Sequence, residues 1–198
     1  DLVLWPVTLE SFPRANQLES PIVANNPPRV NSLISRYNLN LTPLEEKQGF
    51  WQRTIIGQRR ALADRLRLQL HGVMWSATGI DQAYPADYTP ALRDLEDDQS
   101  YYGWQPSDFP VDELTFDLLS AGMQIAGEVP VILVNEPILI SEGENSDVRY
   151  NYYYPRWAYD AYRLQFSSAC AAESWTCLDL WDSVPQQHFT NSAIHRDA

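Results

Sequence analysis

Apolar and polar positions follow two rhythms along this chain. Short, nearly continuous apolar runs occur at residues 1–7 (DLVLWPV), at Val129–Leu133 and at Trp175–Leu180, and each predicts a strand. The run at Val129–Leu133 has too few polar interruptions for a half-solvated strand and predicts one buried on both faces. Between the runs the spacing is helical. Val30, Leu33, Ile34 and Tyr37 fall at i, i+3, i+4, i+7, predicting a helix at about 27–37 with Asn26 as its cap and Pro27 and Pro28 in its first turn. Thr42-Pro43-Leu44-Glu45 reads as a capping box that opens the longest helical stretch, about 43–73, with Gly57 placed to split it. Its apolar positions, from Phe50 and Trp51 through Leu62, Leu66 and Leu70, face a core or a lid. A third helix, about 111–126, carries Leu114, Leu118, Ala121 and Ile125 on one face and stops at Gly127. A fourth, about 155–172, starts with Pro155 and carries Trp157, Ala161 and Phe166.

Strands alternating with helices are the grammar of an α/β domain whose strands run parallel. Three parallel strands make a narrow sheet, because parallel sheets are normally wider and covered on both faces. The expectation is that residues 1–198 form the C-terminal part of one larger α/β domain, its first strands supplied by a missing N-terminal segment or a partner chain. Residues 75–110 have no sustained period and contain four prolines, which suggests an insertion.

Charge changes this picture in one place. The 198 residues carry a formal charge of −12, and residues 81–117 hold ten acids against one base. Residues 47–67 hold six bases against one acid, so the excess negative charge is mostly one acidic insertion. The acidic balance argues against nucleic acid as a partner. No apolar run approaches the roughly 18 residues that a membrane span requires. Cys170 and Cys177 are the only cysteines. They sit near a helix end and a strand start, so a disulfide across the turn is geometrically possible; two buried free thiols are the alternative. One Lys against 13 Arg, with many aromatics, leans towards an extracytoplasmic protein.

Ligands of parallel α/β sheets sit beyond the C-terminal ends of the strands. Here those ends lead into Thr8-Leu9-Glu10-Ser11, into Asn135-Glu136, and into the segment from Asp179 to His195. Aromatic clusters at 101–104 and 150–157, including Tyr152 and Trp157, would share that rim. Polar strand ends walled by rings suit a sugar or an acylated glycan, and Asn135, Glu136, Tyr152 and Trp157 are the candidate substrate-binding residues. No Gly-rich phosphate cradle is present, and no cofactor or metal is expected.

The final strand and tail, from Trp175 to Pro185 and then Phe189-Thr-Asn-Ser-Ala-Ile-His195, resemble the closing block of the SGNH/GDSL-type hydrolase superfamily, in its alginate-acetyltransferase-like or related extracytoplasmic branch. Segments 1–12 and 129–140 are similar to that family's middle strands and following loops. The resemblance covers about a third of the chain. It implies a three-layer parallel sheet of flavodoxin-like/SGNH type, here lacking its N-terminal strands, and an esterase or acyltransferase acting on carbohydrate or acylated small molecules. It also implies that His195 is the general base, with Asn191 orienting it.

Three departures qualify the implication. No Gly-Asp-Ser block occurs, so the nucleophile serine is expected outside this chain. Asn191 stands where the family carries an Asp, and an amide holds a His tautomer without stabilising an imidazolium as a carboxylate does. The spacing from Asn191 to His195 is also one residue longer than the family's. A non-catalytic glycan-binding or assembly domain on the same scaffold is the rival reading.

Overall fold

The computed structural model describes residues 1–45, 54, 56–57, 59–78, 91, 95–106 and 111–189. The chain divides into two units. One spans Asp1–Leu44 and Pro90–Phe189, the other Glu45–Thr89 and Thr190–Ala198.

The first unit is built on three parallel strands in the order β1-β2-β3: β1 (Val3–Val7), β2 (Val131–Asn135) and β3 (Thr176–Asp179). Four helices accompany them: α1 (Pro21–Ala24), α2 (Pro27–Tyr37), α4 (Phe116–Ala126) and α5 (Arg156–Ala172). The helix α3 (Arg59–Thr78) belongs to the second unit. The protein is therefore α/β with a parallel sheet, as its sequence predicts. The register pairs Leu133 of the central strand with Trp5 on one side and Cys177 on the other, and Asn135 with Val7 and Asp179. Those residues share one face, because side chains alternate along a strand.

Both crossover helices that touch the sheet lie on that face. A Cβ on Gly122 of α4 would fall 2.3 Å from the Trp5 ring, so only glycine lets the helix approach β1 this closely. Tyr159 and Tyr162 of α5 reach Asn135 on β2. The core between the layers is aromatic, with Phe12, Tyr101, Tyr150, Tyr154, Tyr159, Tyr162 and Phe166 all buried around Leu9 and Leu133.

The opposite face is less covered than expected. Leu4 of β1 and Leu178 of β3 are exposed there, while Ile132 and Val134 of β2 are half-buried. β1 is an edge of the described sheet. Pro6 is tolerated there because the Val3 N–H already points to β2, so the alternating Pro6 nitrogen faces the free edge.

Local chemistry explains the other differences. Asn26 precedes α2 without capping it, because its amide donates to Ile22 O instead. Residues 43–45 are not helical. Asn31 takes both backbone groups of Leu44, donating to its carbonyl and accepting from its N–H at 2.9 and 2.8 Å, which pins the segment outside a helix. Helix α3 runs from Arg59 after a turn at Gly57, where the sequence places a break, to Thr78, past the expected end at 73; residues 46–53 of the expected stretch lie outside the described residues. The helix expected from 111 is interrupted at Thr115, whose N–H and hydroxyl both donate to Phe12 O. Its buried face consequently holds Leu119 and Ala121, while Ile125 is exposed. Gly127, at φ 61°, ends it as expected. Cys170 and Cys177 are joined by a disulfide across the turn between α5 and β3. Among the described residues no helix is long and apolar enough to cross a membrane.

Candidate functional site

The strand ends open onto one rim, and a buried amide organises it. Asn135, the last residue of β2, is fully buried. Its Nδ2 donates to Asp179 Oδ1 at 2.7 Å, at the end of β3. Its Oδ1 accepts from Tyr162 (3.0 Å) and Tyr159 (3.3 Å). Asp179 Oδ2 in turn accepts from Arg163 at 3.0 and 3.2 Å, and that guanidinium lies 3.9 Å from the centre of the Trp181 ring. Asn135, Tyr159 and Tyr162 are buried away from water, so their polar groups must be satisfied within the network, whereas Asp179 and Arg163 keep contact with solvent.

At the end of β1, Thr8 Oγ1 and the Tyr154 hydroxyl are 3.1 Å apart. Burial pushes the Tyr154 hydroxyl up to about 12, with the Glu10 and Glu136 carboxylates adding to the effect. Glu10 also accepts from the Tyr102 hydroxyl at 2.8 Å, and Asn16 donates to the same hydroxyl. These bonds hold Tyr102 at φ 51°, a backbone region that few non-glycine residues adopt, beside Gly103 at φ 79°. The adjoining Tyr101 is buried, its hydroxyl close to Glu10 but outside hydrogen-bond geometry, and burial raises its pKa far above the usual phenol range.

Folded pKa values above the unfolded value of about 10 make stability pH-dependent with a definite sign. The buried neutral Tyr154 stabilises fully below pH 10, and its contribution disappears as pH rises to about 12. The shift corresponds to about 3 kcal/mol at most. Urea unfolding between pH 9 and 12 should therefore show stability falling as tyrosinate absorbance grows, with a shallower fall in Tyr154→Phe.

The acidic segment 95–104 is fastened over the rim loops. Asn145 donates to Leu95 O, Arg149 to Asp98 O, and Trp157 Nε1 to Gln99 O. Arg149 is buried and also donates to the carbonyls of Asn151 and Tyr152. Asp98 is held below the usual carboxylate range, chiefly by the Ser100 backbone N–H and hydroxyl, with Arg149 contributing less. Between this strap and the first turn of α5 lies an open cavity of about 250 Å³, lined in part by Gln99, Asp147, Arg156, Trp157 and Asp160. Asp160 accepts from the Tyr150 hydroxyl at 2.6 Å and sits 3.9 Å from Arg156.

The candidate residues thus take different positions. Asn135 is buried, and both ends of its amide are bonded within the protein, so its visible role is to hold the strand ends. Glu136 beside it is exposed. Trp157 is half-buried and forms a wall of the cavity, whereas Tyr152 is exposed outside that lining. His195 and Asn191 lie outside the described residues. Sequence reasoning missed the partners of Asn135. Tyr159 and Tyr162, three apart on one helix, together with an Asn in an apolar strand, were the available signal.

Strap, strand ends and cavity define a parallel α/β protein with a polar and aromatic rim. No family model matches the chain, and neither a curated protein nor a solved structure is similar to it.

Proposed function

We propose that this chain is part of an SGNH-hydrolase-like carbohydrate esterase or O-acyltransferase of the cell envelope or extracellular space. In this reading it supplies the substrate rim together with His195 as general base and Asn191 as orienter. The observation that carries the reading is the cavity at the first turn of α5, whose lining includes Trp157, two carboxylates, an amide and a guanidinium. Rings pack against the apolar faces of sugars, while the polar groups serve their hydroxyls.

Two further observations support it. The order β1-β2-β3, with helices on one face, matches three consecutive strands of a 2-1-3-4-5 flavodoxin-like sheet. In the three-layer version of that sheet, further helices cover the apolar face of Leu4, Ile132, Val134 and Leu178. The Cys170–Cys177 disulfide suits an oxidising compartment.

Without a Gly-Asp-Ser turn the chain alone should not hydrolyse a chromogenic acetyl ester. Turnover by this chain that survives His195→Ala would overturn the assignment. Calorimetric titration with acetylated oligosaccharides should give binding that weakens by about tenfold or more, roughly 1.4 kcal/mol, in Trp157→Ala.

A non-catalytic glycan-binding domain is the second reading, favoured by the amide at position 191 where a carboxylate is needed. Binding of the same sugars, with no hydrolysis when the longest available form of the protein is assayed, would select it.

A further inference from the structure

We propose that helix α3 docks on an anionic lipid surface, its apolar stripe entering the interface while the flanking arginines pair with lipid phosphates. The proposal stands apart from the carbohydrate reading and concerns the second unit alone.

At 3.6 residues per turn, Leu62, Leu66, Leu70, Val73 and Met74 fall within about 120° of the helix circumference. The periodicity of the chain sets such a stripe against a core or a lid; instead each of these side chains is 47–68 % exposed. An apolar stripe left in water marks an interaction surface. Charge frames it. Arg60 and Arg67 border the stripe on one side and Arg65 is the nearest charge on the other, all three exposed. Arg59 falls on the line of the stripe, but it sits in the first turn and donates to Ile56 O at 3.2 Å. Asp64, on the opposite side, is the only acid of the helix. In a chain whose formal charge is −12, α3 is therefore a cationic and apolar element.

Charge also selects among occupants. A second copy of α3 would set arginine against arginine, with only Asp64 of each helix to offset them. Nucleic acid would take the arginines and leave the apolar stripe in water. An anionic lipid interface takes both. Acyl chains receive the leucines, and the arginine stems lie along apolar surface while their guanidinium groups reach the phosphates. The helix is graded to match. Its arginines all lie within residues 59–67, whereas residues 68–78 hold no Asp, Glu, Lys or Arg. An uncharged segment of that length is too short to span a bilayer and suits an interfacial position. Leu68 and Trp75, on the other side of the uncharged half, are covered as well when that half enters more deeply than the arginine half.

The test is flotation of the full chain with unilamellar vesicles, one set of pure phosphatidylcholine and one containing about a third phosphatidylglycerol. The anionic vesicles should bind at least about tenfold more tightly, and that binding should weaken as salt rises from about 0.05 to 0.5 M. Leu66→Glu combined with Leu70→Glu should abolish binding. Arg60→Gln combined with Arg67→Gln should remove most of the preference for anionic vesicles, at about fivefold per arginine. Ile125→Glu combined with Leu164→Glu, which adds the same charge at exposed apolar residues of α4 and α5, should bind as the unaltered chain does. All these side chains are exposed, and unchanged circular dichroism verifies that the variants fold. Equal binding to both vesicles would overturn the role of charge and the proposal with it. Loss of binding in the α4 and α5 variant as complete as in the α3 variant would assign the effect to net charge and overturn the site. Absence of binding to either vesicle would overturn the proposal outright, and light scattering would then show whether a second copy occupies the stripe.

Discussion

Asn135→Ala should lower the free energy of unfolding of the first unit by about 3–5 kcal/mol, the largest effect expected of any single substitution at the rim. The amide is fully buried and serves three partners at once, Asp179, Tyr159 and Tyr162. Its removal leaves two phenols in an aromatic core without acceptors, and each buried unsatisfied group costs about 1–3 kcal/mol. The Asp179 carboxylate loses less, because Arg163 still pairs with it and water can reach it. The small cavity left by truncation adds to the loss. Urea denaturation measures the difference directly. Combining Asn135→Ala with Tyr162→Phe should cost less than the sum of the two single changes, since the hydroxyl that Asn135→Ala strands is then gone. Additive losses in that cycle would show that the network is not a unit.

Replacing both cysteines with serine should cost about 2–3 kcal/mol. The estimate follows from the short loop that Cys170 and Cys177 close, at a sequence separation of 7. A short loop has limited chain entropy to lose in the unfolded state, so the effect lies towards the low end of what disulfides provide. The bridge ties the last turn of α5 to β3, the strand at the far edge from β1. The turn it spans includes Ser174 at φ 56°, a conformation that glycine would adopt more readily, and the Trp175 N–H closes it by donating to Cys170 O at 3.0 Å. Loss of the bridge should lower the urea midpoint and also make β3 amides exchange faster than those of β2. Equal midpoints for the bridged and serine forms would mean that the helix–strand contacts alone hold the turn.

Much of this architecture was legible in the chain, and the particular elements show why. Helices α2 and α5 were readable because Pro27, Pro28 and Pro155 mark their starts and periodic apolar residues follow. Strand β2 was readable because four apolar residues in succession, Val131–Val134, have no helical alternative between a Pro and an Asn. The helix start expected at 43–45 was misread for an equally local reason. Thr42-Pro43-Leu44-Glu45 has the composition of a capping box, but Asn31 captures both backbone groups of Leu44. A competitor 13 residues away is invisible to a pattern confined to four.

The same distinction holds at the site. Asn135 and Trp157 were identifiable as chemistry-bearing residues from their positions after a strand and at a helix start. Their different roles were not. One became a buried junction because α5 brings two tyrosines to it, and the other became a cavity wall because the strap from 95–104 lands beside it. Local sequence specifies backbone propensity and the alternation of apolar positions, both of which depend on near neighbours. Burial and hydrogen-bond partnership depend on residues brought together by crossovers, here separated by 24 and 58 positions for Tyr159–Asn135 and Trp157–Gln99. The parallel α/β class was therefore present in the rhythm of the chain, whereas the open sheet face and the amide junction exist only once strands β1, β2 and β3 lie side by side, and the cavity beside Trp157 only once the 95–104 strap meets α5.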